Sequence, residues 1–249
     1  MPLWVTVFLV LAVLHAAAGT GGGLSYLALM TLAGWPHAEA AVIALALNLV
    51  ATCAGSWNWL RGGHLRADLA GFLLVGAVPA VWLASRVPWS QEVFLWVLLG
   101  FTVIAAARSL MKEAKPPREW NPASRAVVCV ALGAAVGVAA GVAGLGGGIF
   151  LIPALVLLRI ATVKQAAASG ALVIAVSSLL GIFGKLEAYG GSLAPVWEKL
   201  VWLVPAVLVG GWVGSHWGSK VLPPRRVQQT LGMVLAMAAV VIVMRLVRG

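Results

Sequence analysis

Long apolar stretches recur along the whole of this sequence, separated by short segments that carry most of the charge. Of the 249 residues, 62% are hydrophobic and only 10% are charged, whereas soluble domains carry about a quarter charged residues. A soluble fold would have no interior large enough for this much apolar surface. A bilayer core takes about 20 apolar residues per helical crossing, and several stretches reach that length. The sequence therefore predicts an all-α, polytopic membrane helix bundle in contact with the lipid bilayer.

The net charge of +10 fits the same interpretation. Lys and Arg lie in the short segments between apolar stretches, as the positive-inside rule expects of cytoplasmic loops. No basic stripe with interleaved aromatic residues is present, so we expect no nucleic-acid partner. Cys53 and Cys129 each lie inside an apolar stretch and have neither disulfide nor metal-ligand spacing. We therefore expect no metal and no cofactor.

An internal repeat divides the chain into two halves. Residues 19–23 read Gly-Thr-Gly-Gly-Gly, and residues 144–148 read Gly-Leu-Gly-Gly-Gly, 125 positions later. The sequence Val-Pro-Ala-Val occurs at 78–81 and again at 204–207, 126 positions later. Two matches in the same order at nearly the same offset indicate duplication. The predicted organisation is a first transmembrane repeat, a cytoplasmic linker rich in proline and charge, and a second transmembrane repeat, over residues 1–111, 112–122 and 123–249.

Each half follows one plan of segments. An apolar stretch leads into the glycine loop, a short apolar stretch follows it, and three longer helices complete the half. In the first half these segments lie at about 3–18, 24–34, 38–57, 69–86 and 91–111. In the second half they lie at about 126–143, 149–158, 164–184, 199–217 and 227–246.

The segments beside each glycine loop allow two topologies. A broken helix that crosses the membrane would leave the two halves parallel, with 11 of the 17 Lys and Arg residues on one side. A re-entrant hairpin would invert the halves, with 12 of the 17 on one side. The two counts are too close to decide. The inverted arrangement is favoured because the segments beside the glycines are short for a full crossing.

The glycine loops are the strongest candidates for a binding site. Three consecutive glycines in hydrocarbon leave backbone groups that lipid cannot satisfy, so such a loop must lie in protein or line a wet cavity. A helix begins after each loop, and helix N-termini offer N–H groups and partial positive charge to an anion. We expect two such termini to frame one anion site without a buried Lys or Arg. The residues predicted to form it are Thr20, Gly21, Gly22, Gly23, Gly146, Gly147 and Gly148.

Polar side chains within the long helices are the next candidates. Asn48 and Thr52 are four residues apart and share a helix face, and an Asn in hydrocarbon must find a partner. In the second half the polar side chains of the long helix are those of Ser169, Ser177 and Ser178, and Ser169 and Ser177 are chosen as the corresponding candidates. All four are predicted to contact the substrate, although Thr and Ser hydroxyls can bond their own helix backbone instead.

Two other classes of function are alternatives to a membrane transporter. A non-transporting membrane subunit or scaffold would use the glycines only to pack helices closely. An intramembrane serine protease would need a serine and histidine pair, for which Ser169 and His216 are the nearest candidates. No Walker loop and no HExxH motif is present. We expect the protein not to be an enzyme.

The chain resembles the sulfite exporter TauE/SafE family of membrane proteins. The resemblance rests on the two glycine loops, on Pro153 after the second loop, and on the gap between the halves. It also rests on the sequence Leu-Asn-Leu at 47–49 and the sequence Ala-Ser-Gly at 168–170. It implies transport of small anions, notably sulfite and organosulfonates. With the anion site above, it predicts a secondary transporter, an exporter driven by an ion gradient, in a bacterial inner membrane. A homodimer is left open.

Overall fold

The computed structural model describes residues 2–86, 91–111, 115–143, 148–188 and 194–248. These residues form ten α-helices and one short π-helical segment, Trp217–Val221, that extends the ninth helix. The helices of the first half are α1 (Pro2–Ala18), α2 (Gly23–Leu32), α3 (His37–Arg61), α4 (Ala67–Ala84) and α5 (Gln91–Met111). Those of the second half are α6 (Pro122–Ala143), α7 (Gly148–Leu157), α8 (Val163–Ala188), α9 (Ala194–His216) and α10 (Pro224–Arg248).

The described part of the chain contains no strand, so the predicted all-α class is confirmed. Lipid favours helices because they satisfy their backbone hydrogen bonds internally. Six described helices are long and apolar enough to cross a membrane, namely α3, α4, α6, α8, α9 and α10. Pro79 and Pro205, from the repeated Val-Pro-Ala-Val sequence, lie inside α4 and α9, the fourth helix of each half.

Helices α1 and α2 form a hairpin with the first glycine loop at its tip. Near the tip, His15 Nε2 lies 2.9 Å from Ser25 Oγ. At the open end, the rings of Trp4 and Trp35 lie 5.5 Å apart. The chain therefore returns toward the end where α1 began, and α3 starts from there.

Helices α6 and α7 also return to the end where they began. The Arg118 N–H, just before α6, donates a hydrogen bond to the Arg159 carbonyl, just after α7, at 3.0 Å. The Arg159 side chain in turn donates from Nε to the Pro116 carbonyl at 2.9 Å. Although α6 is long enough to cross a bilayer by itself, α7 brings the chain back beside its start.

Each hairpin packs its long arm against the fourth helix of the other half. Helix α6 lies on α4, and α1 lies on α9. Glycines make both contacts close, because a Cβ on any of them would run into the facing backbone, and the facing residue numbers rise together along both helices. The pairs are Gly133 with Leu73, Gly137 with Ala77 and Gly141 with Val81, then Gly210 with Leu9, Gly214 with Val13 and Gly218 with Ala17. Within each pair the two helices are therefore parallel.

The third helices of the two halves cross at the centre of the molecule in opposite directions. Leu45 of α3 faces Gly181 of α8, and Asn48 faces Ser178. Residue numbers rise along α3 while the numbers of the facing residues fall along α8, so the two helices are antiparallel. This direction is the one that an inverted pair of repeats requires.

Ion pairs identify the two ends of the bundle. On the end that carries the linker, Asp68 at the start of α4 pairs with Arg66 at 2.5 Å and with Arg125 of α6 at 2.9 Å. At the other end, Lys199 of α9 pairs with Glu39 of α3 at 2.6 Å. We call the first end the linker face, defined by residues 62–66, 115–121, 158–162 and 222–223, and the second the opposite face.

Candidate functional site

The first glycine loop is buried and needs glycine for its backbone. Gly19, Gly21 and Gly22 have φ angles of 79°, 78° and 104°, in the left-handed region where a Cβ is strained. Residues 19–23 are all buried, although they join two helices by a loop. The sequence therefore forms a tight turn inside protein, as membrane depth demands.

Asn48 joins this loop to both halves of the molecule. Its Oδ1 accepts a hydrogen bond from the Gly23 N–H, the first of α2, at 3.0 Å. Its Nδ2 donates to Ser178 Oγ of α8, 130 residues away in sequence, at 2.7 Å. The first N–H groups of a helix have no acceptor inside the helix, and the amide oxygen of Asn48 satisfies the one at Gly23.

The loop is pinned between α3 and α8. A Cβ on Gly21 would collide with Asn48 Oδ1 and would lie 2.6 Å from Thr52 Cγ2. A Cβ on Gly19 would lie 2.7 Å from the Cβ of Ala167 at the start of α8. In this conformation, protein atoms fill the space beside the loop.

His15 ties the two arms of the hairpin together. Its Nδ1 lies 2.8 Å from Thr20 Oγ1 and its Nε2 lies 2.9 Å from Ser25 Oγ. The Thr20 hydroxyl donates to the His15 carbonyl at 3.2 Å, which leaves its oxygen to accept from Nδ1. In the neutral ring, Nε2 then accepts from Ser25. The Thr20 side chain is therefore used to hold the loop.

The predicted site residues of the first half lie together, whereas part of the second glycine loop lies outside the described residues. The structure brings together Thr20, Gly21, Gly22, Gly23, Asn48 and Thr52. The Thr52 hydroxyl bonds the carbonyl of Asn48 in its own helix at 2.7 Å. Gly146 and Gly147 lie outside the described residues, and Gly148 is the first residue of α7.

Of the two predicted serines of α8, one lies at the junction with Asn48 and the other lies away from it. Ser177 is buried beside Ser178, which holds Asn48. Ser169 is buried nine residues earlier on α8, roughly 13 Å along the helix axis.

Sequence reasoning missed Tyr26 and chose Ser177 over its neighbour Ser178, although both are polar candidates on α8. Only the rotation of α8 against α3 selects between the two serines. Tyr26 covers Gly22, since a Cβ on Gly22 would lie 2.7 Å from Tyr26 Cζ. A signal was available for Tyr26, because it is one of two tyrosines in the chain and follows the glycine loop by one helical turn.

The buried polar residues of the described structure are all of uncharged or histidine type. The described residues that are buried as a whole and carry polar side chains are Asn, Ser, Thr, Gln and His, and no Lys, Arg, Asp or Glu is among them. The N-terminus of α2 supplies partial positive charge beside the loop. Such a set can bind an oxyanion through neutral donors.

An open cleft of about 370 Å³ lies elsewhere, on the linker face. Its lining includes Lys115, Thr162, Arg225 and Gln228 and no residue of the glycine loop or of α3. The cleft and the buried loop are therefore separate features.

Comparisons with known proteins identify the same family that the glycine loops and neighbouring motifs indicate. No solved structure matches the chain. The chain is 28% identical over 232 residues, 92% of each chain, to a protein of Sinorhizobium fredii named "Probable membrane transporter protein y4hK". Residues 4–242 match the model of the family described as "Sulfite exporter TauE/SafE". The chain is therefore a multi-pass integral membrane protein that belongs to the TauE/SafE family of membrane transporters.

Proposed function

We propose that this protein is a secondary transporter that exports a small anion such as sulfite or an organosulfonate. The anion binds at paired helix N-termini beside the two Gly-Gly-Gly loops. The observation that carries the proposal is the Asn48 amide oxygen on the first N–H of α2. In that contact, an N–H group at the N-terminus of α2 donates to a side-chain oxygen at the centre of the molecule.

Binding in this proposal is an exchange of acceptors. A hydrogen bond to a charged oxygen is roughly twice as strong as one between neutral groups, so an oxyanion displaces Asn48 Oδ1 from Gly23. Asn48 also donates to Ser178 of the other half. Its release therefore changes a contact between the halves, which couples anion binding to their relative movement.

The directions of the helices support inverted repeats. Helices α3 and α8 are antiparallel. The α6–α7 hairpin begins and ends at the linker face, whereas the α1–α2 hairpin begins and ends at the opposite face. Inverted repeats that meet at a central site provide two related conformations, one open to each side. The alternating access of a secondary transporter follows from the exchange between them.

The charge distribution supports an orientation. In the re-entrant topology 12 of the 17 Lys and Arg residues fall on the side of the linker, so we place the linker face in the cytoplasm. In a bacterial cell the protein then lies in the inner membrane, with the 33–36 segment on the outer side.

The two rival functions have less support. An intramembrane protease needs a serine and histidine in contact, whereas Ser169 Oγ has no hydrogen-bond partner in the described chain. A scaffold explains the glycines that pack α1 on α9 and α6 on α4. It treats the Asn48 amide on the N-terminus of α2 as a helix cap only, and it does not agree with the membrane-transporter family to which the chain belongs.

Sulfite flux in proteoliposomes tests the proposal with a matched pair of variants. Asn48 and Asn58 both lie buried on α3 and bond the second half, Asn58 through Ser215 Oγ at 2.8 Å. Asn48→Ala removes the contact with Ser178 through which anion binding reaches the second half, and it should lower flux about tenfold, equivalent to ~1.4 kcal/mol. Asn58→Ala loses comparable contacts away from the loop and should transport within about threefold of wild type. Equal flux in both variants, or no anion flux in wild type, would reject the proposal.

A further inference from the structure

Tyr26 carries a buried hydroxyl that the fold does not use. The side chain is fully buried, and its Oη has no hydrogen-bond partner in the described structure. Buried polar groups are nearly always hydrogen-bonded, because an unpartnered one loses its bonds to water and gains none. Packing explains the ring, which stacks on Phe8 with centroids 5.1 Å apart and planes at 15°. A phenylalanine would pack equally well without the cost of the hydroxyl.

The position of the hydroxyl relates it to the glycine loop. Side chains of a helix lean toward its N-terminus, and the Tyr26 ring lies back over the first turn of α2. A Cβ on Gly22 would be 2.8 Å from Tyr26 Oη, so only glycine leaves room for the hydroxyl there. The next residue is Gly23, whose N–H bonds Asn48. The loop is thus covered by Tyr26 at Gly22 and by Asn48 and Thr52 at Gly21.

We infer that Tyr26 Oη donates a hydrogen bond to an oxygen of the transported anion, which makes Tyr26 a specificity-determining residue. The inference rests on the function proposed above and adds a side-chain donor to the backbone donors of α2. A hydroxyl and helix N–H groups can bond different oxygens of one ligand. This pattern selects anions with several oxygens, such as sulfite or a sulfonate, over a halide.

His15 does not take this role. Both of its ring nitrogens are already within hydrogen-bond distance of Thr20 and Ser25, and its ring centroid is 6.3 Å from that of Tyr26. Tyr26 Oη is the hydroxyl beside the loop that remains available as a donor.

The substitution Tyr26→Phe separates a substrate contact from a packing role, because the two predict opposite changes. Removal of an unpartnered buried hydroxyl should leave the melting temperature in detergent equal to or above that of wild type. The sulfite concentration for half-maximal flux into proteoliposomes should nevertheless rise about tenfold, as expected when a charged acceptor loses one donor.

The matched control is Thr102→Val. Thr102 lies on α5, is fully buried, and also has a hydroxyl without a partner in the described structure. Its replacement should raise or preserve the melting temperature in the same way, with half-maximal flux at the wild-type sulfite concentration. The control shows what loss of an unused hydroxyl does away from the loop.

The outcomes separate this inference from the function on which it rests. If wild type transports sulfite and Tyr26→Phe does so with the wild-type half-maximal concentration, Tyr26 is not a substrate contact and only the inference fails. The same holds if Tyr26→Phe and Thr102→Val weaken sulfite transport equally. If wild type moves neither sulfite nor any sulfonate, the proposed function itself fails.

Discussion

Gly21 and Gly34 share a backbone conformation but not an environment. Their φ angles are 78° and 81°, both in the left-handed region. A Cβ on Gly21 would collide with Asn48 Oδ1, whereas a Cβ on Gly34 would meet nothing within 4 Å. The pair therefore separates backbone strain from the close packing of the glycine loop.

Alanine at these two positions should have unequal effects on stability. Both variants incur the left-handed strain of about 1–2 kcal/mol. Gly21→Ala should cost about 1–3 kcal/mol more because it overpacks the contact with α3. Thermal unfolding in detergent measures the difference, which corresponds to several degrees at roughly 2–4 °C per kcal/mol. Equal melting temperatures would show that the loop is not held against Asn48 as described.

Single residues of the site were predictable only in part. Asn48 stood out because an amide in an apolar helix needs a partner, and the structure gives it two. The identity of those partners depends on how α3, α8 and the α1–α2 hairpin meet, which local sequence does not contain. Tyr26 was overlooked because an aromatic residue beside a glycine loop looks like ordinary core.

The helices themselves were predictable because apolar length fixes them. The long stretch expected at about 38–57 is His37–Arg61, and the one expected at about 164–184 is Val163–Ala188. The course of the segments around each glycine loop was not predictable, since the two topologies differ by one residue in their counts of Lys and Arg. Contacts such as Trp4 with Trp35 and Arg118 with Arg159 supply that information.

Cysteine labelling tests the course of the two hairpins. With Cys53 and Cys129 replaced by alanine, single cysteines are placed at Gly34, Gly63 and Leu158. The structure puts Gly63 and Leu158 on the linker face and Gly34 on the opposite face. On intact cells, a membrane-impermeant maleimide should react with Gly34→Cys, and with the other two only after permeabilisation. Labelling of Gly63→Cys and Leu158→Cys from different sides would instead indicate broken helices that cross the membrane.

Packing contacts between helices of different halves hold the whole molecule together. The long arm of each hairpin packs on the fourth helix of the other half, and the two third helices cross at the centre. The first glycine loop touches α3 of its own half and α8 of the other. A change at this loop therefore reaches both halves at once, as the alternating access proposed above would require.

The most direct test of the account is sulfite flux through the Asn48→Asp variant. A carboxylate oxygen can still accept from the Gly23 N–H, and the Ser178 hydroxyl can donate to it, so the protein should fold, with a melting temperature below that of wild type because a charge is buried. The added negative charge should lower flux by about a hundredfold or more, because unit charges about 4 Å apart repel by roughly 4 kcal/mol at an effective dielectric of ~20. Flux at the wild-type rate in folded Asn48→Asp protein would contradict an anion site at the N-terminus of α2.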